Sequence, residues 1–302
     1  MPTLPRAADA APDPAIAEAV NRWFSDAARP LPWRAADISP WAVLVSEFML
    51  QQTQVARVQP RWEEWMRQWP TPADLAAAPP SEAVRMWDRL GYPRRALWLH
   101  RAATEIVERH GGDVPRDLDA LQALQGIGPY TARAIAAFAF GDRHPVVDTN
   151  TRRVIARAVD GAAEAGPPAT KRDLDAMSAL LPDEADAARA FNAGAMELGA
   201  TVCTARSPRC DDCPIAGRCA WRAAGYPAYD GPRRARPARF EGSDREARGL
   251  VMRELRAAHR PVRQDELARA VADPDRLARA VDGLVADGLA ARVDGGLALP
   301  EA

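Results

Sequence analysis

The sequence is short of lysine and has no excess of charge of either sign. Its 302 residues include a single lysine, Lys171, and its 40 basic residues are balanced by 41 acidic ones. A net charge near zero provides no overall field for binding a polyanion, so any such binding must rest on local groups such as backbone amides and arginine clusters. Chemistry that needs a lysine nucleophile can draw on one residue only.

Long apolar runs are also missing. No segment is long enough to span a bilayer, and the Ala- and Pro-rich stretch Met1–Asp13 lacks the apolar core of a signal peptide. We therefore expect a cytoplasmic protein whose residues 1–14 are disordered. The length allows two or three domains, and helical patterns interrupted by Pro and Gly, with few alternating strand patterns, predict a mainly α fold.

Cysteine is confined to one short segment. All four residues follow the spacing Cys203-x6-Cys210-x2-Cys213-x5-Cys219. Two disulfides are not expected in a cytosolic protein, which leaves a four-thiolate metal site holding either zinc or a [4Fe–4S] cluster. Zinc sites usually show two short cysteine pairs, whereas this segment has one pair with longer arms.

Two predicted helices, Asp117–Gln125 and Pro129–Phe140, are separated only by Gly126-Ile127-Gly128. A reversal over three residues needs positive φ angles, which glycine adopts at low cost. Such a turn directs backbone N–H groups outward at the start of the second helix, where the helix dipole favours a phosphate. The alternative is an ordinary helical hairpin that ends on a glycine cap.

Two carboxylates stand out by their surroundings. Asp148 directly precedes a helical pattern at Thr149–Val159, as a helix N-cap would, and a fixed anion there can also stabilise a cation beside a bound phosphate. Glu47 follows the helix start Ser39-Pro40 and has apolar residues on every helical face. We expect it to be partly buried, with a raised pKa that suits a general acid.

These segments carry a resemblance to a known family. Ser46–Val55, Gly126–Gly128 and Val147–Asn150 resemble the helix-hairpin-helix DNA glycosylases, specifically the adenine DNA glycosylase (MutY) family, over roughly Ala15–Tyr226. The resemblance implies a six-helix domain with the hairpin, a helical domain with a [4Fe–4S] cluster, and double-stranded DNA as partner.

The resemblance also implies roles for particular residues. Glu47 would protonate the leaving adenine, Asp148 would stabilise the oxocarbenium-like sugar, and Tyr130 and Asn150 would order the pocket. Gln51 and Tyr92 would form a wedge beside the lesion, although Pro93 replaces the family's usual second tyrosine. The full predicted set for DNA and lesion binding is Leu31, Trp33, Arg34, Gln51, Gln52, Thr53, Tyr92, Gly126, Ile127, Gly128 and Arg152; the predicted cluster ligands are Cys203, Cys210, Cys213 and Cys219.

The predicted elements fall into a sequence of domains. Leu31–Arg34 is expected to be extended, and Arg233, Arg234, Arg236 and Arg239 mark a flexible linker. The predicted domains are an iron–sulphur helical domain (15–30 plus 146–225), a six-helix domain (31–145), a linker (226–243) and a winged-helix-like domain (244–302). The predicted helices outside the hairpin are Ala15–Ala27, Trp62–Trp69, Ala73–Ala77, Ser81–Leu90, Arg94–His110, Thr151–Val159, Lys171–Leu181, Ala187–Leu198, Asp244–Ala258, Gln264–Val271 and Pro274–Asp287.

A β-hairpin is predicted at Leu289–Val293 and Leu297–Leu299. The preceding helix carries several aspartates and suits packing or partner binding better than a DNA groove. No counterpart of the family's larger C-terminal domain, which recognises 8-oxoguanine, is visible.

The leading hypothesis is a monomeric, monofunctional glycosylase, associated with the nucleoid, that removes adenine mispaired with 8-oxoguanine or guanine. The alternative enzyme is an endonuclease III-like glycosylase and lyase for oxidised pyrimidines, which needs a lysine in the hairpin where this chain has Tyr130. A non-catalytic iron–sulphur DNA-binding protein would leave Glu47 unexplained.

Overall fold

The computed structural model describes residues 13–232 and 239–301, and this part of the chain is mainly helical, as predicted. None of the described helices is long and apolar enough to cross a bilayer. The helices are α1 (Ala15–Ala27), α2 (Pro40–Leu50), α3 (Val55–Gln68), α4 (Pro72–Ala77), α5 (Pro80–Trp87), α6 (Arg94–His110), α7 (Leu118–Gln122), α8 (Pro129–Phe140), α9 (Thr149–Ala158), α10 (Thr170–Leu180), α11 (Ala185–Thr201), α12 (Ala220–Ala223), α13 (Asp244–Ala257), α14 (Gln264–Ala270) and α15 (Pro274–Ala286); the strands are β1 (Ala291–Val293) and β2 (Gly296–Ala298).

The chain divides into two compact units, each built from two separate stretches of sequence. The first unit comprises Met1–Arg34 and Pro129–Arg234, and the second comprises Ala35–Gly128 and Ala235–Ala302. The predicted six-helix domain included α8, which the contacts group with the first unit. The division into functional domains stays a prediction.

The first unit is centred on α11, which packs against α1 and α9. Val20, Phe191 and Leu198 form part of the buried core between these helices. Gly194 allows the close approach, because a Cβ atom there would lie 2.8 Å from Val20. Removing each such side chain from water contributes roughly 1.5–3 kcal/mol, so the apolar faces of α1, α9 and α11 hold this unit together.

The second unit is centred on α6, against which α4 and α5 pack. Helix α2 begins where predicted, because Pro40 occupies the first turn and the Ser39 hydroxyl accepts a hydrogen bond from Ala42 N at 3.2 Å. Nearly all of α2 is buried. A helix that is apolar on all sides belongs in a core, and this places Glu47 there with it.

Helix α3 begins earlier than predicted. The predicted range was Trp62–Trp69, whereas the observed helix is Val55–Gln68 with Pro60 inside it. A proline in the second turn removes one hydrogen bond of the helix. Burial of Val58, Trp62 and Trp65 on one face offsets that loss.

The C-terminal stretch forms the predicted three helices and a β-hairpin. Val293 pairs with Gly296 at the hairpin turn, and Val262 N donates to Leu297 O at 2.8 Å. Helix α13 packs against α15 and against α5, where Arg85 donates to the carbonyl of Arg256 at 2.6 Å. This module is therefore part of the second unit, and its winged-helix character stays a prediction.

Two predicted segments fall partly outside the described residues. Most of the predicted disordered N-terminus, residues 1–12, lies there, as do Arg233, Arg234 and Arg236 of the predicted linker. The remaining linker arginine, Arg239, forms an ion pair with Glu241 at 2.8 Å.

Candidate active site and cysteine loop

Glu47 is buried in the second unit, as the sequence predicted. The residue is 7% exposed, and its helix neighbours Val43, Leu44 and Phe48 have 2% exposure or less. A carboxyl group among apolar side chains can keep a proton for transfer to a bound molecule.

Two loops of the second unit lie side by side. The chain turns sharply after α2, where Gln52 has a φ of +56°, and again before α6, where Tyr92 has a φ of +49°. Thr53 Oγ1 donates to Leu90 O at 3.1 Å, which joins the two loops. The structure thus brings Gln51, Gln52 and Thr53 close to Tyr92, whose ring stands on the surface at 56% exposure.

The predicted helical hairpin is present, with one correction. Gly126 has a φ of +82°, and a Cβ atom there would lie 2.9 Å from Trp98 Cβ and 3.0 Å from the Phe48 ring. Gly128 does not have a positive φ, and a Cβ there would meet no atom within 4 Å. Only the first glycine is therefore required by the turn, while the second leaves open space beside the backbone at the start of α8. The helix before the turn is also shorter than predicted.

A buried carboxylate that the sequence did not single out holds the hairpin. Glu105 on α6 is 6% exposed, and its Oε2 accepts a hydrogen bond from Gln125 N at 2.8 Å. Arg101 donates to the other oxygen at 3.2 Å. The residue before the turn is thereby tied to the central helix of the second unit. Ile127, inside the turn, is buried and donates its own N–H to Leu124 O at 3.2 Å.

Asp148 in the first unit caps α9, as predicted. Its Oδ1 accepts from Thr151 N at 2.7 Å and its Oδ2 accepts from the Asn150 side chain at 2.8 Å. Both carboxylate oxygens are therefore held by donors, which fixes the orientation of the group.

The same hydrogen-bond network continues to the cysteine loop. Arg153 donates to Asn150 Oδ1 at 2.8 Å, to Gly199 O at 2.6 Å and to Cys203 O at 2.7 Å. Burial lowers the pKa of Arg153, against the opposing effect of Cys203. Gly199 permits this packing, because a Cβ there would lie 2.7 Å from Asn150 Cβ. The sequence offered no signal for either Arg153 or Gly199.

The other predicted pocket residues of the first unit are largely buried. Leu31 and Trp33 are each 8% exposed, and Pro32–Arg34 forms a 3-10 turn rather than the predicted extended stretch, because Arg34 N donates back to Leu31 O at 2.9 Å. Tyr130 is partly buried and packs against the cluster formed by Ala134, Ala137 and Val146.

Glu197 on α11 anchors this turn. Its side chain is fully buried, and it binds Arg29 at 2.5 Å and Arg34 at 3.0 Å. The short range from Arg29 to Arg34 is thus held against the helix that leads to the cysteines.

Arg152 faces the protein. Its Nε donates to Asp173 at 2.6 Å and its Nη2 donates to Pro167 O at 2.9 Å. These contacts hold the loop before α10 against α9. A role for Arg152 in DNA binding stays a prediction.

The four cysteines line one pocket together with Arg157 and Trp221. None forms a disulfide, and all are half-buried. Burial, together with the neighbouring thiols, raises the pKa of Cys213 to about 11. Arg157 lies 3.3 Å from Cys203 Sγ and stacks on Trp221 at 4.7 Å.

This donor set fits an iron–sulphur cluster. Thiols with raised pKa values need a positive metal centre to become thiolates. The four thiols line one pocket, and four thiolates are a donor set that holds either a [4Fe–4S] cluster or a zinc ion.

Two protein-family models match this chain, one over the helices that carry the hairpin and the other over the cysteine loop. Residues 45–177 match the HhH-GPD superfamily base excision DNA repair protein model, and residues 203–219 match the iron-sulfur binding domain of endonuclease III. The second match confirms the predicted [4Fe–4S] cluster and runs from Cys203 to Cys219. The assignment of Cys203, Cys210, Cys213 and Cys219 as its four ligands stays a prediction.

Similar proteins cover most of the chain. The adenine DNA glycosylases of Mycobacterium tuberculosis and Mycolicibacterium smegmatis are 52% and 51% identical over 92% of this chain, covering 91% and 93% of their own lengths. The human adenine DNA glycosylase is 42% identical over 65% of this chain and 37% of its own.

Two solved structures share the fold. A thermostable thymine-DNA glycosylase, 26% identical, matches with a TM-score of 0.62 over 70% of this chain and 96% of its own. Endonuclease III in a non-covalent complex with DNA, 23% identical, matches with a TM-score of 0.59 over 70% and 95% of the two chains.

Proposed function

The chain belongs to the adenine DNA glycosylase family of base-excision repair enzymes, and from this premise we propose that it removes adenine mispaired with 8-oxoguanine or guanine. It is a DNA glycosylase with a [4Fe–4S] cluster, and it hydrolyses an N-glycosidic bond. We propose that it acts as a monomer on duplex DNA in the cytoplasm, associated with the nucleoid.

The proposed reaction begins with a flipped nucleotide, since the bond between adenine and sugar is out of reach within a stacked duplex. Glu47 gives its proton to the leaving base as the bond to C1′ breaks and the bonding electrons leave with adenine. The sugar becomes an oxocarbenium ion, which the Asp148 carboxylate stabilises. Water then adds to C1′ and releases a proton to solvent, which leaves an abasic site. Glu47 takes up a proton from solvent and is ready for the next turnover.

The observation that supports this mechanism most directly is the contrast between the two carboxyl groups. Glu47 is 7% exposed and lies among apolar helix neighbours, whereas Asp148 is only partly buried and caps α9, where Thr151 N and the Asn150 side chain donate to it. Carboxyl groups in such different environments suit two different roles, one as proton donor and the other as the group that stabilises the oxocarbenium ion. Tyr130 and Asn150 are proposed to order the pocket, and Asn150 already orients Asp148.

The hairpin is the proposed phosphate site. The open space beside Gly128 and the start of α8 at Pro129 suit a bound anion at a helix N-terminus. Glu105 and the close packing of Gly126 would keep that turn rigid.

A lyase mechanism has little support. It needs an unprotonated lysine, and the only lysine, Lys171, has a side chain that is 90% exposed and paired with Asp175 at 2.6 Å. The hydrogen bond that Lys171 donates to the Asp175 carboxylate raises the pKa of Lys171, which keeps it protonated.

The test is single-turnover strand cleavage of a duplex with adenine opposite 8-oxoguanine, developed with hot alkali. Glu47→Gln removes the proton and Asp148→Asn removes the anion, so each should abolish excision while duplex affinity is retained. Glu63→Gln is the matched control, because Glu63 is exposed and accepts a hydrogen bond from the side chain of Gln59 at 3.1 Å. Wild-type rates in Glu47→Gln, or a Schiff base trapped with borohydride, would contradict the mechanism.

A further inference from the structure

Arg95 is a buried arginine without an acidic partner. It lies in the first turn of α6 and is 5% exposed. In the described part of the chain no carboxylate forms a salt bridge with it. Burial lowers its pKa, which reflects the loss of hydration around the guanidinium. Such a group needs protein contacts that replace water.

Among the described residues, Arg95 contacts the loop that follows α2 and the loop that precedes α6. The guanidinium carbon lies 4.5 Å from the centre of the Tyr92 ring, and Nη1 donates to the carbonyl oxygen of Gln51. Arg95 therefore contacts both residues of the proposed wedge, one through its ring and the other through its backbone.

The loops need such a restraint. Gln52 and Tyr92 both have positive φ angles, and residues other than glycine keep this conformation only where their surroundings enforce it. Thr53 Oγ1 to Leu90 O and Trp87 Nε1 to Gly91 O, at 3.1 and 2.9 Å, hold the backbone of the loops. Neither bond orients the exposed Tyr92 ring. The contact that can orient it is the one with the Arg95 guanidinium.

We propose that Arg95 is a positioning residue, which holds the Tyr92 ring and the Gln51 backbone in the orientation that enters the base stack. This inference rests on the proposed function, in which these two residues form the wedge. Inserting a side chain between stacked bases costs free energy, which the binding of DNA must supply. A wedge side chain that can rotate away from the stack separates the bases less effectively.

The experiment uses the full chain and a duplex in which 2-aminopurine lies beside 8-oxoguanine. The fluorescence of 2-aminopurine rises when the base stack opens. Arg95→Met keeps the length of the side chain but loses the charge and the hydrogen bonds. We expect the single-turnover rate to fall by about ten- to a hundredfold, most of the fluorescence rise to be lost, and the duplex Kd to change little. Arg95→Lys keeps a cation near the ring and should restore part of both signals.

The neighbouring Arg94 provides the matched control. Its side chain is 51% exposed and contacts Trp98 and Asp287 instead of the loops. Arg94→Met removes the same charge one residue away, and both signals should stay close to wild type. An equal loss in both variants would overturn the proposal in favour of a general charge effect.

A double-mutant cycle with Tyr92→Ala separates positioning from a merely structural role. If Arg95 acts through the wedge, adding Arg95→Met to Tyr92→Ala causes a smaller loss of fluorescence change than Arg95→Met causes alone, because only its hold on Gln51 remains to be lost. Losses that multiply, or wild-type signals in Arg95→Met, would overturn the proposal. All variants are measured well below their Tm and compared at equal cluster absorbance. A wild-type protein that opens the stack without removing adenine would contradict the proposed function and leave the fluorescence test of Arg95 valid.

Discussion

Replacing Glu197 by glutamine should destabilise the first unit strongly. The carboxylate is fully buried and shared between Arg29 and Arg34, whose side chains are 38% and 26% exposed. Removing one partner of a fully buried ion pair costs ~3–5 kcal/mol, and the partial exposure of the arginines reduces this to about 2–3 kcal/mol. At ~2–4 °C per kcal/mol, the Tm should fall by roughly 5–10 °C in calorimetry.

The loss should depend on pH in a defined direction. Burial raises the pKa of Glu197, but the hydrogen bonds and charges of Arg29 and Arg34 outweigh it and hold the pKa below its ordinary value. Stability from this group is therefore present above the unfolded pKa of about 4.3 and is lost as the pH falls through the lower native pKa. The Tm difference between wild type and Glu197→Gln should narrow in that acid range.

Asp186→Asn is the control on the same helix. Asp186 pairs with Arg189 at 2.9 Å, but the two side chains are 78% and 48% exposed, so its loss should change stability by less than about 0.5 kcal/mol. Equal Tm values for wild type and Glu197→Gln at pH 7, or a difference that does not narrow in acid, would refute this account of the ion pair. Adenine removal should also slow in Glu197→Gln, because Arg34 holds the turn that carries Trp33.

Variants of the hairpin, the cysteine loop and the C-terminal module test three other parts of the structure. Gly126→Ala should lower the Tm, because its backbone has a φ of +82° and the added Cβ would lie 2.9 Å from Trp98 Cβ. Gly128→Ala should keep the Tm but weaken duplex binding. Equal effects of the two variants in calorimetry and in binding assays would contradict this prediction. Protein purified anaerobically should be brown, and Cys213→Ala should lose the visible absorbance; a colourless protein with stoichiometric zinc would refute the cluster. A chain ending at Gly242 should still remove adenine, and its preference for 8-oxoguanine over guanine should stay close to that of the full chain, since discrimination is assigned to the wedge. A selective loss of that preference in folded, truncated protein would assign lesion reading to the C-terminal module.

Local features of the sequence were sufficient for several parts of this structure. Ser39 and Asp148 cap their helices as predicted, because capping depends on a side chain and amides within three residues. The apolar surroundings of Glu47 also follow from helical periodicity alone. The clustering of the cysteines indicated a metal site before any contact between them was known.

Only the tertiary structure identified the residues that hold these features in place. Glu197 meets Arg29 across 168 positions, and Arg95 meets Gln51 across 44. Neither pairing has a characteristic spacing, because a buried charge is satisfied by whichever segment the packing brings near it. The same applies to Arg152, whose ion pair with Asp173 is formed between two helices. Spacing in the sequence determined where caps, turns and ligands lie, while burial and distant contacts decided which charged side chains became structural.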